Sequence, residues 1–563
     1  MSGVGGVAVS RIPRSGRSRS LRGLVLGGVA VTSMVLTMVT ASAATGPKLA
    51  THGPANEGPY PWKYPASGKV SVGSGTTVTG SKCTAGALQF DTPYAPPCVA
   101  KFTGSNGGAT YNGVTATTIT LAQREFPPTA DSEEVAADMK AAGDAPQEVT
   151  SQVEQVFLNY FNKAYDLYGR KVVIKPFTSS AVNVTEALGQ GQAQACADAD
   201  AITNQMHAFG ETGIPYDQAN GGTSPFSQCA AQDHLMEFFG DAYYSETTFQ
   251  AENPYVWSFT PDCQRIAANM ADVIGTELAG KKAIYAGDPT LQSSVRKFGV
   301  FIPNVPSYIN CNGEPSGLQN KLLETKYHVP ASQINQFFHY DLDISTFQQS
   351  AQQAIVQFKA AGVTTIVLAN DPFSLGLLTQ AAAAQNYHPE WLLQGSAATD
   401  TDNEGQTYNQ SEVDNHMFGV SEASATNEIF GPASPAGKLY QKLTGHQIPK
   451  ETDGNYAYLV EIFDALQAAG PDLTPQNIAR GLHALPTLGA PNYSYGAWSW
   501  NTGPSGTVGG GDHTAVNDAR LVYWAGDIAS PVNGKMGTFV ALDNGKRFTL
   551  GDYPKSLPKL FTQ

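Results

Sequence analysis

From residue 113 onward, short β-branched runs alternate with longer stretches whose apolar positions recur every three or four residues. "GVTATTITLA" (113–122) is turn-bounded and reads as a strand. "VTSQVEQVFLNYFNKAYDLYG" places Val153, Val156, Phe157, Tyr160, Phe161 and Ala164 on one helical face and stops at Gly169. "RKVVIKPF" then predicts a second strand, and "NVTEALGQGQAQACADADAITNQM" another helix. The alternation continues with a helix ending at Gly280, a strand "KKAIYAG", a helix ending at Gly362, and a strand "VTTIVLAN". It goes on with a helix "PFSLGLLTQAAAAQ" and a strand "EWLLQG". Strands separated by helices of ten or more residues predict βαβ units and a mostly parallel sheet. Two further helices follow in "NYAYLVEIFDALQAAG" and "TPQNIARGLHAL", and the tail from Tyr493 reads as short strands and turns.

Outside this alternation the texture differs. Residues 44–110 are rich in Gly, Pro, Ser and Thr and predict a loop-rich extension ahead of the first lobe. Residues 1–43 carry five arginines, the interrupted apolar run "LVLGGVAVTSMVLTMV" and "ASA" at Ala41–Ala43. A basic start, a short apolar run and small residues at the end predict a signal peptide cleaved near Ala43. The mature chain is therefore expected to be secreted and soluble. At 563 residues, more than one lobe is expected.

The order and spacing of these segments resemble the type I periplasmic binding proteins. The nearest branch is the one holding the leucine/isoleucine/valine-binding components of ABC importers. "GVTATTITLA", "YFNKAYDLYG" and "RKVVIKPF" resemble the opening of that family, and "NPYVWSFTPD" (253–262) its crossing into a second lobe. "LAGKKAIYAGD" and "FKAAGVTTIVLAND" resemble the first and third strand units of that lobe. "NYAYLVEIFDALQAAG" and "DHTAVNDARLVYW" resemble the late helix and terminal strands. The resemblance implies an α/β fold of two doubly wound parallel-sheet lobes with a hinge and an interlobe cleft. Lobe one would take residues 111–260 plus 418–495, and lobe two 261–417 plus 496–563. It implies a monomeric, non-enzymatic carrier that captures a small solute and delivers it to a membrane permease.

Charge and cysteine content narrow the partners. Removing the leader takes five positive charges from a chain of formal net charge −14, leaving −19. Such a surface repels phosphate backbones, so nucleic acid is not an expected partner. All six cysteines follow the leader, as expected for disulfides in an exported chain. Short loops favour sequential pairing, Cys83–Cys98, Cys196–Cys229 and Cys263–Cys311. No C-x-x-C, G-x-S-x-G, H-E-x-x-H or Walker loop occurs, and no cofactor or metal is expected. Two other classes stay open: an exported hydrolase-like α/β enzyme with a triad assembled only in space, and a ligand-sensing ectodomain.

Two Asp-Pro turns, at Asp288 and Asp371, each follow an expected strand. They read either as helix caps or as cleft contacts beyond the strand ends, and the two roles can coexist. "GDAYYSETTF" is expected at lobe one's cleft edge, with Ala242, Tyr243 and Tyr244 where the relatives hold a ligand carboxylate. The expected ligand-binding residues are Tyr243, Tyr244, Ser245, Asp288, Asn370, Asp371 and Ser396. After "EWLLQG" the relatives place an acid for the ligand's ammonium. Here Ser396, Ala397 and Ala398 stand there, and the nearest acid is Asp400. Where they have an aromatic contact after the first strand of lobe two, this chain has Thr290–Gln292. "DTDNEGQTYNQSE" (400–412) partly resembles a calcium loop, but its closing Glu412 comes one residue late, and a solvated acidic loop is expected.

Overall fold

Two sheets, each built on five parallel strands in the same order, organise the chain. The computed structural model describes residues 70–127, 145, 147–182, 185–186, 190–212, 225–240, 244–305, 308–313, 317–369, 371–395, 399–421, 431–450, 452–489, 496–500 and 513–550. The expected signal peptide lies outside the described residues. No described helix is long and apolar enough to cross a membrane.

Lobe one is built on β1 (Thr118–Glu125), β2 (Lys171–Thr178), β3 (Gly210–Glu211), β4 (Met236–Gly240) and β5 (Val256–Ser258). Between them run α1 (Gln147–Ala164), α2 (Gln192–Asp200), α3 (Pro225–Gln232) and α4 (Glu246–Glu252). The strands are all parallel, in the order β2-β1-β3-β4-β5. This is a doubly wound arrangement, with its switch point between β1 and β3.

Lobe two starts with α5 (Cys263–Val273) and carries β6 (Phe298–Pro303), α6 (Leu318–Thr325), β7 (Phe337–Tyr340), α7 (Ile344–Ala361), β8 (Thr365–Leu368), α8 (Pro372–Ala384), β9 (Glu390–Leu393) and β10 (Met417–Ser421). These five strands are parallel in the order β7-β6-β8-β9-β10, repeating lobe one's pattern. Their near-continuous apolar runs are those of strands covered on both faces. Helix α7 shows how the sequence sets an element. The Asp343 side chain accepts from Ser345 N at its start, and Gly362, at φ 67, ends it. Its buried Phe347, Ala351, Ala354, Ile355 and Phe358 form one stripe against the sheet.

The chain then returns to lobe one with α9 (Pro435–Thr444), α10 (Gly454–Ala469) and α11 (Pro475–Ala484). Trp498, Trp500, Ala515 and Val516 also join that lobe's core. Only then does it cross back to add β11 (Asp518–Ala529), β12 (Met536–Ala541) and β13 (Arg547–Thr549), antiparallel, to lobe two's sheet. The expected boundaries shift accordingly. Residue 418 falls inside β10, whose Phe418 and Val420 pack in lobe two's core, and residues 496–516 do not begin lobe two.

The expected strand at 281–287 does not form. That segment is a run of turns with one bridge, Lys282 to Val295, and leaves Ile284 57% exposed. The first strand of lobe two is β6, "FGVFIP", every residue of which is buried. Segment 281–296 instead runs along the amino ends of the sheet. There Gly287 N donates to His388 O, and Tyr285 N to the Glu390 carboxylate. Glu390, fully buried, receives Arg296 in a two-pronged pair (2.7 and 2.8 Å) and the Thr365 hydroxyl. Truncating Arg296 to alanine strands that carboxylate. A loss of about 3–5 kcal/mol is expected in denaturant unfolding.

The extension is more than a leader to lobe one. Its Cys83–Cys98 disulfide ties the second strand of a small hairpin, Ser74–Thr76 and Lys82–Thr84, to the segment around residue 98. From there Tyr94 stacks on Trp498 (4.4 Å), and Phe90 packs among Tyr160, Phe161 and Tyr165. The Tyr456 hydroxyl bonds to Thr92, and Gly489 N donates to Pro93 O. Arg170 reaches back to the carbonyls of Asn106 and Gly108, and also holds those of Thr115 and Pro471. The other two disulfides are Cys196–Cys229 and Cys263–Cys311, giving the expected pairing throughout.

Candidate functional site

In doubly wound sheets, ligands sit beyond the carboxyl ends of the strands, near the switch point. In lobe two that point lies between β6 and β8, where Asp371 starts α8. Its Oδ1 accepts from Phe373 N and Ser374 N, and its Oδ2 from the Tyr340 and Ser374 hydroxyls. Burial raises the carboxyl's pKa, and these donors pull it back. Four donors leave little of this carboxylate for a solute, so the capping role dominates. Asp288 also caps a helix, accepting from Thr290 N at 2.6 Å. That helix, Pro289–Ser293, stands at the amino ends of the strands, because the strand expected before it does not form. The two Asp-Pro turns therefore lie at opposite ends of the sheet.

Past the ends of β9 and β10, several polar side chains are buried without partners. Asp400 is fully buried, and neither of its oxygens has a partner at full hydrogen-bond geometry. Burial pushes its carboxyl up to about 6, and the Ser421 hydroxyl, its own backbone N–H and the Arg547 charge pull it part of the way back. Ser421 Oγ and Gln394 Oε1 also lack partners, although Gln394 Nε2 donates to Asn312 Oδ1 at 2.8 Å. Every one of these unpartnered atoms is an oxygen. They are complementary to a group rich in donors.

The acidic stretch 400–412 is not a solvated loop. Asp402 is buried and accepts from Ser530 Oγ, Thr538 Oγ1 and Phe539 N, tying the segment to β12. Thr401 caps the helix Asp402–Thr407, and Glu412 pairs with His388 at 2.8 Å. These side chains are committed inside the protein rather than turned to one ion. No group of three or more His, Cys, Asp or Glu among the described residues could hold a metal.

Lobe one's switch point is filled by its own ion cluster. Arg124, at the end of β1, meets Glu186 (2.8 Å) and Asp198 (2.8 Å) and lies over the Phe226 ring at 4.0 Å. Burial works against its charge, and the two carboxylates more than offset that. Beside it, Glu237 Oε2 and Glu252 Oε2 are buried without hydrogen bonds. Burial pushes these carboxyls up to about 8 and about 7. Tyr244 lies close to both, buried, with its ring edge-on to Phe249 at 5.5 Å. Ser245 caps α4 by accepting from Thr248 N. Tyr243, Asn370 and Ser396 lie outside the described residues.

Two of the crossings between lobes are zipped together. Ser258 N donates to His513 O, Ala515 N to Ser258 O and Val516 N to Phe259 O. His513 Nδ1 is 2.7 Å from Glu246 Oε1.

Sequence reasoning missed Gln394, Ser421, Glu237 and Glu252. A signal existed for two of them: Gln394 directly follows an apolar strand, and Glu237 is a lone acid inside "LMEFF".

No family model matches the chain, and no curated protein matches it. Among solved structures, it is similar to a fatty acid ABC transporter substrate-binding protein from Thermomonospora curvata. The identity is 12%, over 78% of this chain and 96% of that one, with a TM-score of 0.49. A leucine-, isoleucine-, valine-, threonine- and alanine-binding protein from Brucella ovis is 15% identical, over 79% and 97% of the two chains, with a TM-score of 0.47. A possible leucine/isoleucine/valine-binding protein from Rhodopirellula baltica is 11% identical, over 76% and 96%, with a TM-score of 0.46.

Proposed function

We propose that this chain is an extracytoplasmic solute-binding protein of an ABC importer. It holds a small solute between its lobes and passes it to a permease, without catalysis. The observation that supports this reading best is the set of buried, unpartnered oxygens past β9 and β10: Gln394 Oε1, both Asp400 oxygens and Ser421 Oγ. Leaving a buried polar group unpaired costs roughly 1–3 kcal/mol. A binding protein recovers that cost when its solute arrives. Because the amide and carboxylate oxygens of this set only accept, the solute is one that donates, such as an ammonium, guanidinium or amide. Asp400 thus takes the part that an acid after β9 plays in the amino-acid-binding relatives, a few residues further along.

A thermal-shift screen of amino acids, amides, amines, short peptides and small aromatic acids tests this. A binder at 100 times its dissociation constant stabilises by about 2.7 kcal/mol. The expected hits carry a protonated amine or an amide. If nothing in the screen shifts the melting temperature while an ester or amide is hydrolysed, the reading fails.

A further inference from the structure

The disulfide Cys263–Cys311 sits where three parts of the molecule meet. Cys263 is the first residue of α5, immediately after the chain leaves lobe one, and it is fully buried. Its N–H donates to the carbonyl of Tyr244, past the end of β4 in lobe one, at 2.8 Å. The start of α5 is otherwise fixed by Asp262, whose carboxylate accepts from Gln264 N and Arg265 N and pairs with Arg265 Nε at 2.7 Å. Cys311, also buried, lies in the short turn Ile309–Gly313 that follows β6. Next to it, Asn312 receives the Gln394 amide. At the start of the same segment, Tyr308 lies near enough to Asp371 for that carboxylate, after burial itself, to push up the tyrosine's pKa. One turn therefore spans the ends of β8 and β9, and one covalent bond fixes it to the helix that grips Tyr244.

We propose that Cys263–Cys311 positions the solute site: it anchors the segment bearing Tyr308 and Asn312 to the end of α5 whose first N–H is hydrogen-bonded to lobe one. This rests on the strand-end reading of the site, and it goes further by assigning a mechanical role to a bond outside it. Without the bond, the turn loses its covalent tie to α5. Lobe one's Tyr244 is then no longer coupled to Gln394 through a fixed frame.

The test compares two variants of the mature chain, Cys263→Ser/Cys311→Ser and Cys83→Ser/Cys98→Ser. Hydrogen exchange is followed by mass spectrometry without solute. The first pair is expected to speed exchange at residue 263 and across 309–313 at least tenfold, while α10 keeps its protection. The second pair should leave both segments unchanged and loosen only residues around 83–99. Spin labels on Val356→Cys (lobe two) and Leu443→Cys (lobe one), both exposed positions, report the distance between lobes. Its distribution should broaden in the first pair and not in the second, which mere local destabilisation would not produce. Unchanged exchange at 263 and 309–313, an unchanged distribution, or equal acceleration throughout the chain overturns the proposal. Should the serine pair not fold, Cys263→Ala/Cys311→Val keeps the apolar filling and carries the same comparison. No readout uses a solute, so a null ligand screen and a failure here remain distinguishable.

Discussion

Asp400→Asn is expected to raise the stability of the solute-free protein at pH 7 by up to about 3 kcal/mol, and to shrink any thermal shift that an amine solute produces. The first effect follows from burial. The folded carboxyl is pushed up to about 6 from an ordinary value of 3.8, about two units at roughly 1.4 kcal/mol each. Between these values the folded state holds the proton and the unfolded chain does not. The favourable contribution is therefore complete below about pH 4 and is lost as pH rises through 6. Wild type should lose stability across pH 4–6, and the variant should show a flatter profile in thermal melts over that range. Glu237 and Glu252, with carboxyls pushed up to about 8 and about 7, extend the wild-type decline toward neutral pH. The second effect follows from charge. The asparagine keeps the size and one acceptor but cannot pair with a cation, so binding of an amine should weaken by a hundredfold or more. A residue whose neutralisation both stabilises the protein and disables binding serves the ligand rather than the fold. If Asp400→Asn is less stable than wild type at pH 7, the carboxylate has a partner in the fold and the solute reading of this position fails.

The two Asp-Pro turns show how far sequence reading reached. Both look alike over four residues, and both do start helices. What separates them is the element before each. "VTTIVL" is a strand with both neighbours in the sheet, whereas "KKAIYA" is pushed to the amino ends of the strands. "FGVFIP" takes its place in lobe two's sheet, between β7 and β8. That run was hard to see, because a fully buried strand has no alternation, and this one ends in proline. The order of helices, with their caps and glycine stops, was legible because those signals are local. The unpaired oxygens of Asp400, Gln394 and Glu237 were not. Whether a buried polar atom is satisfied depends on residues far away in the chain, as Asn312 Oδ1 satisfies Gln394 Nε2. The edges of the lobes were hard to read for the same reason, since tryptophans 498 and 500 declare their core only by what they touch.

Tyr94→Ala should lower the unfolding free energy by about 3–5 kcal/mol, and removing residues 70–110 should leave lobe one without a cooperative transition. Composition alone makes this stretch look dispensable, since its glycines, prolines and serines offer no periodic apolar face. The core it completes says otherwise. Helix α10 is buried on every side from Tyr456 to Ala469, including Glu461, Asp464 and Gln467. A helix with no solvent face needs cover all round, and α1 and α11 account for only part of it. Tyr94 (1% exposed) and the Thr92–Tyr456 bond supply cover from the extension. Cutting the tyrosine to alanine leaves a cavity against Trp498, in the range of large aromatic-to-alanine losses. Denaturant titration followed by tryptophan fluorescence measures both variants. Trp257, Trp498 and Trp500 all belong to lobe one's core, and Trp391 and Trp524 to that of lobe two. A truncated chain that keeps the wild-type midpoint would mean that α10 finds its cover elsewhere, and that the extension merely rests on the lobe it now completes.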